Sequence, residues 1–203
     1  MKTKCLLLQF CLLGSLLLLP AVAQAQLTFT TNNGAITITG YTGSSGSVVI
    51  PGATNGHPVV SIGPYAFIDQ TLTNVTIPNS VTNIGNYAFY ICTNLTAATL
   101  GTGVIHIGTQ AFDLCGSLVG ITLPASVTSI GQGAFADCAL TSIIVPDNAT
   151  NLGTYVFYDC PGLTNVTLPN TVTNLERAEL YVEQIRSLAR PRGYPLAATI
   201  EPA

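Results

Sequence analysis

The chain has 203 residues, 48% of them hydrophobic and only 7% charged, with a formal net charge of −3. Its basic residues are Lys2, Lys4, Arg177, Arg186, Arg190 and Arg192, so Gln26 to Leu175 contains none, and its only acids there are Asp69, Asp113, Asp137, Asp147 and Asp159. Phosphate backbones are bound through Lys and Arg, which excludes a nucleic-acid partner and disfavours attraction to anionic lipid.

Lys2 and Lys4 precede an apolar stretch from Cys5 to Leu19, followed by Pro20 and Ala23-Gln24-Ala25. A basic start, an apolar middle and a small-x-small site predict a secretory signal peptide over 1–25, cleaved after Ala25. The apolar stretch is shorter than the ~20 residues needed to span a bilayer. Export to the cell surface or medium is therefore expected, with no membrane insertion after cleavage.

Leu27 to Tyr41 alternates on both sides of Asn33-Gly34. Asn-Gly supplies the two positive φ angles of a type I′ turn, so 26–47 is expected to form an N-terminal β-hairpin cap. A cap is needed because the first coil of a stacked array would otherwise expose its apolar side.

The stretch from Val48 to Leu175 is periodic. Phenylalanine recurs at Phe67, Phe89, Phe112, Phe135 and Phe157, with steps of 22, 23, 23 and 22. The preceding pair recurs as Ile62-Gly63, Ile84-Gly85, Ile107-Gly108, Ile130-Gly131 and Leu152-Gly153. Pro78, Pro124, Pro146 and Pro169 end the short apolar runs, with Gly101 where one proline is missing. Self-similarity at this period marks a solenoid.

Within each repeat, a segment of the form L-x-x-ϕ-x-ϕ-P reads as a strand. Alternation places Val75, Ile77, Ala98, Leu100, Ile121, Leu123, Ile143, Val145, Val166 and Leu168 inside. Their neighbours face out, leaving a threonine ladder broken by Ile144. Asn55-Gly56-His57-Pro58 lies in five extra residues of the first repeat, which are expected to bulge out as a loop.

The joint pattern L-x-x-V-T-I-P-x-x-V-T-x-I-G-x-x-A-F-x-x-C resembles the BspA-type leucine-rich repeat of secreted and surface bacterial proteins, and the lead-in Gly40-Tyr41-Thr42-Gly43 is similar as well. The resemblance implies an α/β-type leucine-rich repeat solenoid with one short parallel β-strand per 22–23-residue repeat, lying on the concave side. It also implies roles in adhesion or protein recognition.

After Leu175 the pattern fails. Ala178, Tyr181, Val182, Ile185, Leu188 and Ala189 recur at helical spacing, so 176–203 is expected to hold an amphipathic helix and a tail. The helix is read as a cap on the last coil, with a docking element as the alternative.

Cys92, Cys115, Cys138 and Cys160 all sit three residues after a phenylalanine. Stacked in a row, they do not converge as zinc ligands must. Buried free thiols are expected, with disulfides the alternative, since rungs about 5 Å apart permit the bond. Of Asp69, Asp113, Asp137 and Asp159, three share one repeat position, but no calcium-loop motif surrounds them. His57 and His106 adjoin no nucleophile or carboxylate motif and are read as surface residues. Asn74, Asn94, Asn148 and Asn165 begin N-x-T sequons, which permit glycosylation in a suitable host. No catalytic residue, metal or cofactor is expected.

A partner surface is sought first among Tyr65, Tyr87, Tyr90, Tyr155 and Tyr158, because tyrosine is enriched at binding hot spots. The concave alternative is Asn74, Thr76, Thr99, Thr122, Asn165 and Thr167. The leading reading is a monomeric, non-enzymatic interaction module for a protein or glycan. A polysaccharide-acting β-solenoid enzyme would need carboxylates or basic groups on the outward strand positions, which hold none. A threonine ladder binding an ordered surface is the third reading.

Overall fold

A computed structural model describes residues 26–43 and 45–168. The expected signal peptide over 1–25 and the expected helix within 176–203 lie outside them.

The chain opens with strands β1 (Leu27–Asn32) and β2 (Ala35–Tyr41), paired antiparallel. Asn33 and Gly34 between them have φ of 50° and 75°. Strand β3 (Gly46–Val49) begins the coils. The five extra residues form a second hairpin and not an irregular loop: β4 (Ala53–Thr54) pairs antiparallel with the start of β5 (His57–Ile62). Its turn is again Asn-Gly, with Asn55 at φ 51° and Gly56 at φ 77°, the same signal that marks the first hairpin.

From there each coil contributes two short strands. One series is β6 (Leu72–Thr76), β8 (Ala97–Thr99), β10 (Gly120–Thr122), β12 (Ser142–Ile144) and β14 (Asn165–Thr167). The other is β7 (Asn83–Ile84), β9 (His106–Ile107), β11 (Ser129–Ile130) and β13 (Asn151–Leu152). The first series pairs in parallel as β3-β6-β8-β10 and, separately, β12-β14; the second continues from the hairpin as β1-β2-β5-β7-β9-β11-β13. The described residues contain no helix. The returns are made of turns and two-residue strands, so the result is a β-solenoid of about six turns.

Alternation holds along the first series of strands. Val75, Ile77, Ala98, Leu100, Ile121, Leu123, Ile143, Val145 and Val166 are buried, and Leu168 packs against them partly buried. Where proline ends a strand, its carbonyl accepts a turn hydrogen bond three residues on: Val81 N–H to Pro78, Val127 to Pro124 and Ala149 to Pro146. Gly101 serves the same way for Val104.

The phenylalanines stack through the interior. Successive ring centroids from Phe67 to Phe157 are 4.9, 5.0, 5.5 and 6.1 Å apart, with interplanar angles from 8° to 13°. Tyr41 of the hairpin continues the column at 5.5 Å from Phe67, and its hydroxyl donates to Gln26 Oε1. Each ring contributes roughly 2–3 kcal/mol by leaving water. None can do so without the coils on either side.

Candidate functional site

Two backbone positions in every return lie in the left-handed region. Two residues after the glycine, φ is 59° at Tyr65, 58° at Tyr87, 50° at Gln110, 59° at Gly133 and 61° at Tyr155. Two residues after the phenylalanine, it is 53° at Asp69, 60° at Ile91, 60° at Leu114, 53° at Asp137 and 45° at Asp159. Between these bends Ala-Phe, or Val156-Phe157, is buried. The recurrence of Asp at the second bend follows from conformation, since Asp and Asn tolerate positive φ better than most residues.

The three tyrosines at the first bend share one column on the returns. Tyr65 is 51% exposed and Tyr155 46%. Tyr65 stacks on Tyr87 at 4.9 Å and 2°, while Tyr90 meets Tyr87 edge-on at 5.6 Å and 88°. Tyr158, 48% exposed, meets Tyr155 in the same way, at 5.8 Å and 90°. The five sequence-selected tyrosines thus form two groups. The coils between them carry Gln110 with Asp113, and Gly133 with Ala136, at the corresponding places.

The concave candidates Asn74, Thr76, Thr99, Thr122, Asn165 and Thr167 are all exposed. Thr76, Thr99 and Thr122 stand in register on paired strands. Val49 pairs with Thr76 in the same row; it is 59% exposed, and Ile144 further along is 69% exposed. An open depression of about 620 Å³ lies on this face, lined among others by Ala97, Thr99, Gly120, Thr122 and Ser142. It exists because Ala97 and Gly120 are the smallest outward residues. It coincides with the missing strand pairing between β10 and β12.

The four cysteines are free and buried. Each thiol donates to a phenylalanine carbonyl of the preceding coil: Cys92 to Phe67, Cys115 to Phe89, Cys138 to Phe112 and Cys160 to Phe135, at 3.0–3.3 Å. Burial pushes Cys92 up to about 11 and Cys160 up to about 12; it raises Cys115 and Cys138 as well. These are packing groups and not nucleophiles.

Asp113 is buried; one oxygen accepts from Gln110 Nε2 and the other, Oδ1, has no partner. Desolvation raises the pKa of Asp137, helped by Asp113, Asp159 and a side-chain hydrogen bond with Asp159. Among the described residues no three His, Cys, Asp or Glu side chains are placed to hold a metal ion. His106 is exposed and His57 half-buried in the second hairpin.

A family profile described as BspA type leucine rich repeat region matches residues 60–184 in six copies. The chain belongs to the BspA-type leucine-rich repeat family. Its coils resemble the crystal structure of the T. pallidum leucine-rich repeat protein at 36% identity and a TM-score of 0.70, covering 71% of this chain and 70% of that one. A leucine-rich repeat protein from Bacteroides ovatus ATCC 8483 matches at 26% identity and a TM-score of 0.61, over 71% of this chain but only 46% of that one. No curated protein matches the chain.

On this BspA-type scaffold, sequence reasoning missed the pairing of the tyrosines into edge-on sets and the burial of Asp113. The first was signalled by the spacing Tyr-x-x-Tyr recurring at Tyr87 and Tyr90 and at Tyr155 and Tyr158. The second had no signal, because Asp113 stands one place before the acidic column.

Proposed function

We propose that the protein is an exported, non-catalytic recognition module, displayed on or released from the bacterial surface, that binds a protein or glycan. Membership of a bacterial leucine-rich repeat family supports this reading, and the exposed tyrosines carry it. Tyr65, Tyr155 and Tyr158 each keep about half of their surface in water on a solenoid whose described residues include no Lys or Arg. Large rigid rings that hold such exposure are the residue type most often found at binding hot spots. The depression around Thr99 and Thr122 is the second surface. It offers hydroxyls and aliphatic side chains but no aromatic ring.

The test is a binding screen of the purified protein against extracellular matrix proteins and glycans, repeated with Tyr87→Ala and Tyr158→Ala. Binding that weakens in both variants supports the tyrosine edge, whereas binding unchanged in both but lost on filling the depression with Gly120→Tyr moves the site to the concave strands. Turnover of any ligand would overturn the non-catalytic reading.

A further inference from the structure

The tyrosine edge carries one arrangement twice. Tyr87 and Tyr90 meet at 5.6 Å and 88°, Tyr155 and Tyr158 at 5.8 Å and 90°. Both sets come from the same two repeat positions, two after the glycine and one after the phenylalanine. They are three coils apart, which is about 15 Å at the rise of paired strands. The coils between place no ring there: one presents Gln110 hydrogen-bonded to Asp113, the next Gly133 and Ala136. Tyr65 lengthens the first set by one coil.

We propose that this edge binds an uncharged, extended, β-linked polysaccharide lying along the solenoid axis, with one tyrosine set under each end of the contact. The inference rests on the recognition-module reading and names its ligand.

Three observations select this chemistry. The phenol faces are electron-rich, and the flat side of a β-linked pyranose presents C–H bonds that pack on such faces while its hydroxyls stay wet. The polar groups exposed nearby are neutral, among them Asn86 and Gln132. The charged groups of this side are Asp69, Asp113, Asp137 and Asp159, with no Lys or Arg among the described residues, so an anionic glycan is repelled. Finally, the two sets are related by the translation of the repeat itself. A linear polymer with one ring per similar rise stays in step with that translation. A globular protein surface has no such period, and without Arg the edge lacks a second residue type typical of protein hot spots.

Two short contacts on one rigid scaffold also make a length requirement. An oligosaccharide reaching only one set binds weakly, and one spanning both gains from the second contact without a second loss of free motion.

The test is calorimetric titration of the purified protein with cello- and chito-oligosaccharides of increasing length. Affinity is expected to climb steeply once the chain spans both sets and then level off. Tyr158→Ala should lower the plateau affinity about tenfold, the scale of one lost aromatic contact, and abolish the length dependence; Tyr158→Phe should retain both. Circular dichroism and the thermal midpoint establish that each variant is folded. If neither series binds at any length while a protein ligand binds and is lost in the same variants, the glycan assignment is overturned and the recognition module stands. If the oligosaccharides bind without length dependence, the two-set geometry is overturned. Failure to bind any glycan or protein would remove the recognition reading as well.

Discussion

Cys138 donates its thiol proton to the carbonyl of Phe112, 3.2 Å away on the preceding coil. The same bond recurs from Cys92, Cys115 and Cys160, so each cysteine satisfies a buried carbonyl of its predecessor beside the phenylalanine column. Cys138→Ala opens a small cavity and leaves the Phe112 carbonyl short of this donor. It is expected to cost on the order of 1–2 kcal/mol, measured by denaturant unfolding.

Thiol chemistry tests the same column from another side. The native protein at pH 8 is expected to resist iodoacetamide at all four of these cysteines, and the unfolded protein to react at all four. Because the folded state holds the thiol protons more tightly, their contribution to stability is intact below the unfolded value near 8.5. It falls as pH rises toward about 11 at Cys92 and about 12 at Cys160. Unfolding midpoints measured from pH 8 upward should decline accordingly, and less steeply in Cys92→Ala.

Gly131 marks where one coil presses on the next. A Cβ built there would lie 2.4 Å from the Thr109 nitrogen and 2.6 Å from the Gly108 carbonyl carbon. Both are backbone atoms, so the coils must separate to admit a methyl group. Gly131→Ala is expected to cost about 3 kcal/mol or more. Gly52→Ala, whose nearest neighbour would be 3.6 Å away, should be nearly silent in the same thermal melt.

Leu114 occupies the second bend at φ 60° and is 36% exposed. A branched apolar side chain is poorly suited to that backbone, whereas Asn accepts it. Leu114→Asn is expected to raise stability by about 1 kcal/mol, read as a higher denaturant midpoint with an unchanged slope.

Desolvation by burial, with Asp113 and Asp159 set against it, raises the pKa of the Asp137 carboxyl. The sign follows: the contribution is present below the ordinary Asp value near 3.9 and is lost as pH rises through the raised folded value. Asp137→Asn keeps a residue suited to φ 53° and removes the repulsion. Its thermal midpoint should exceed the parent's at pH 7, with the difference shrinking toward pH 4.

Much of this protein was determined by its sequence alone. The spacing of Phe67, Phe89, Phe112, Phe135 and Phe157, and the alternation around Val75-Thr76-Ile77, are local patterns, and burial follows directly from them because strand side chains alternate. The second Asn-Gly turn, at Asn55-Gly56, is equally legible, because it carries the same signal as Asn33-Gly34. Tertiary structure alone decided why the repeat needs glycine, which carbonyl each cysteine meets, and which tyrosines touch. Except for the edge-on pairs Tyr87–Tyr90 and Tyr155–Tyr158, three residues apart, those facts belong to contacts between residues 22 to 26 apart in the chain. A period states that such residues are neighbours, but only the path of the backbone around each coil sets where two coils come close enough to exclude a methyl group, share a proton or leave a ring in water.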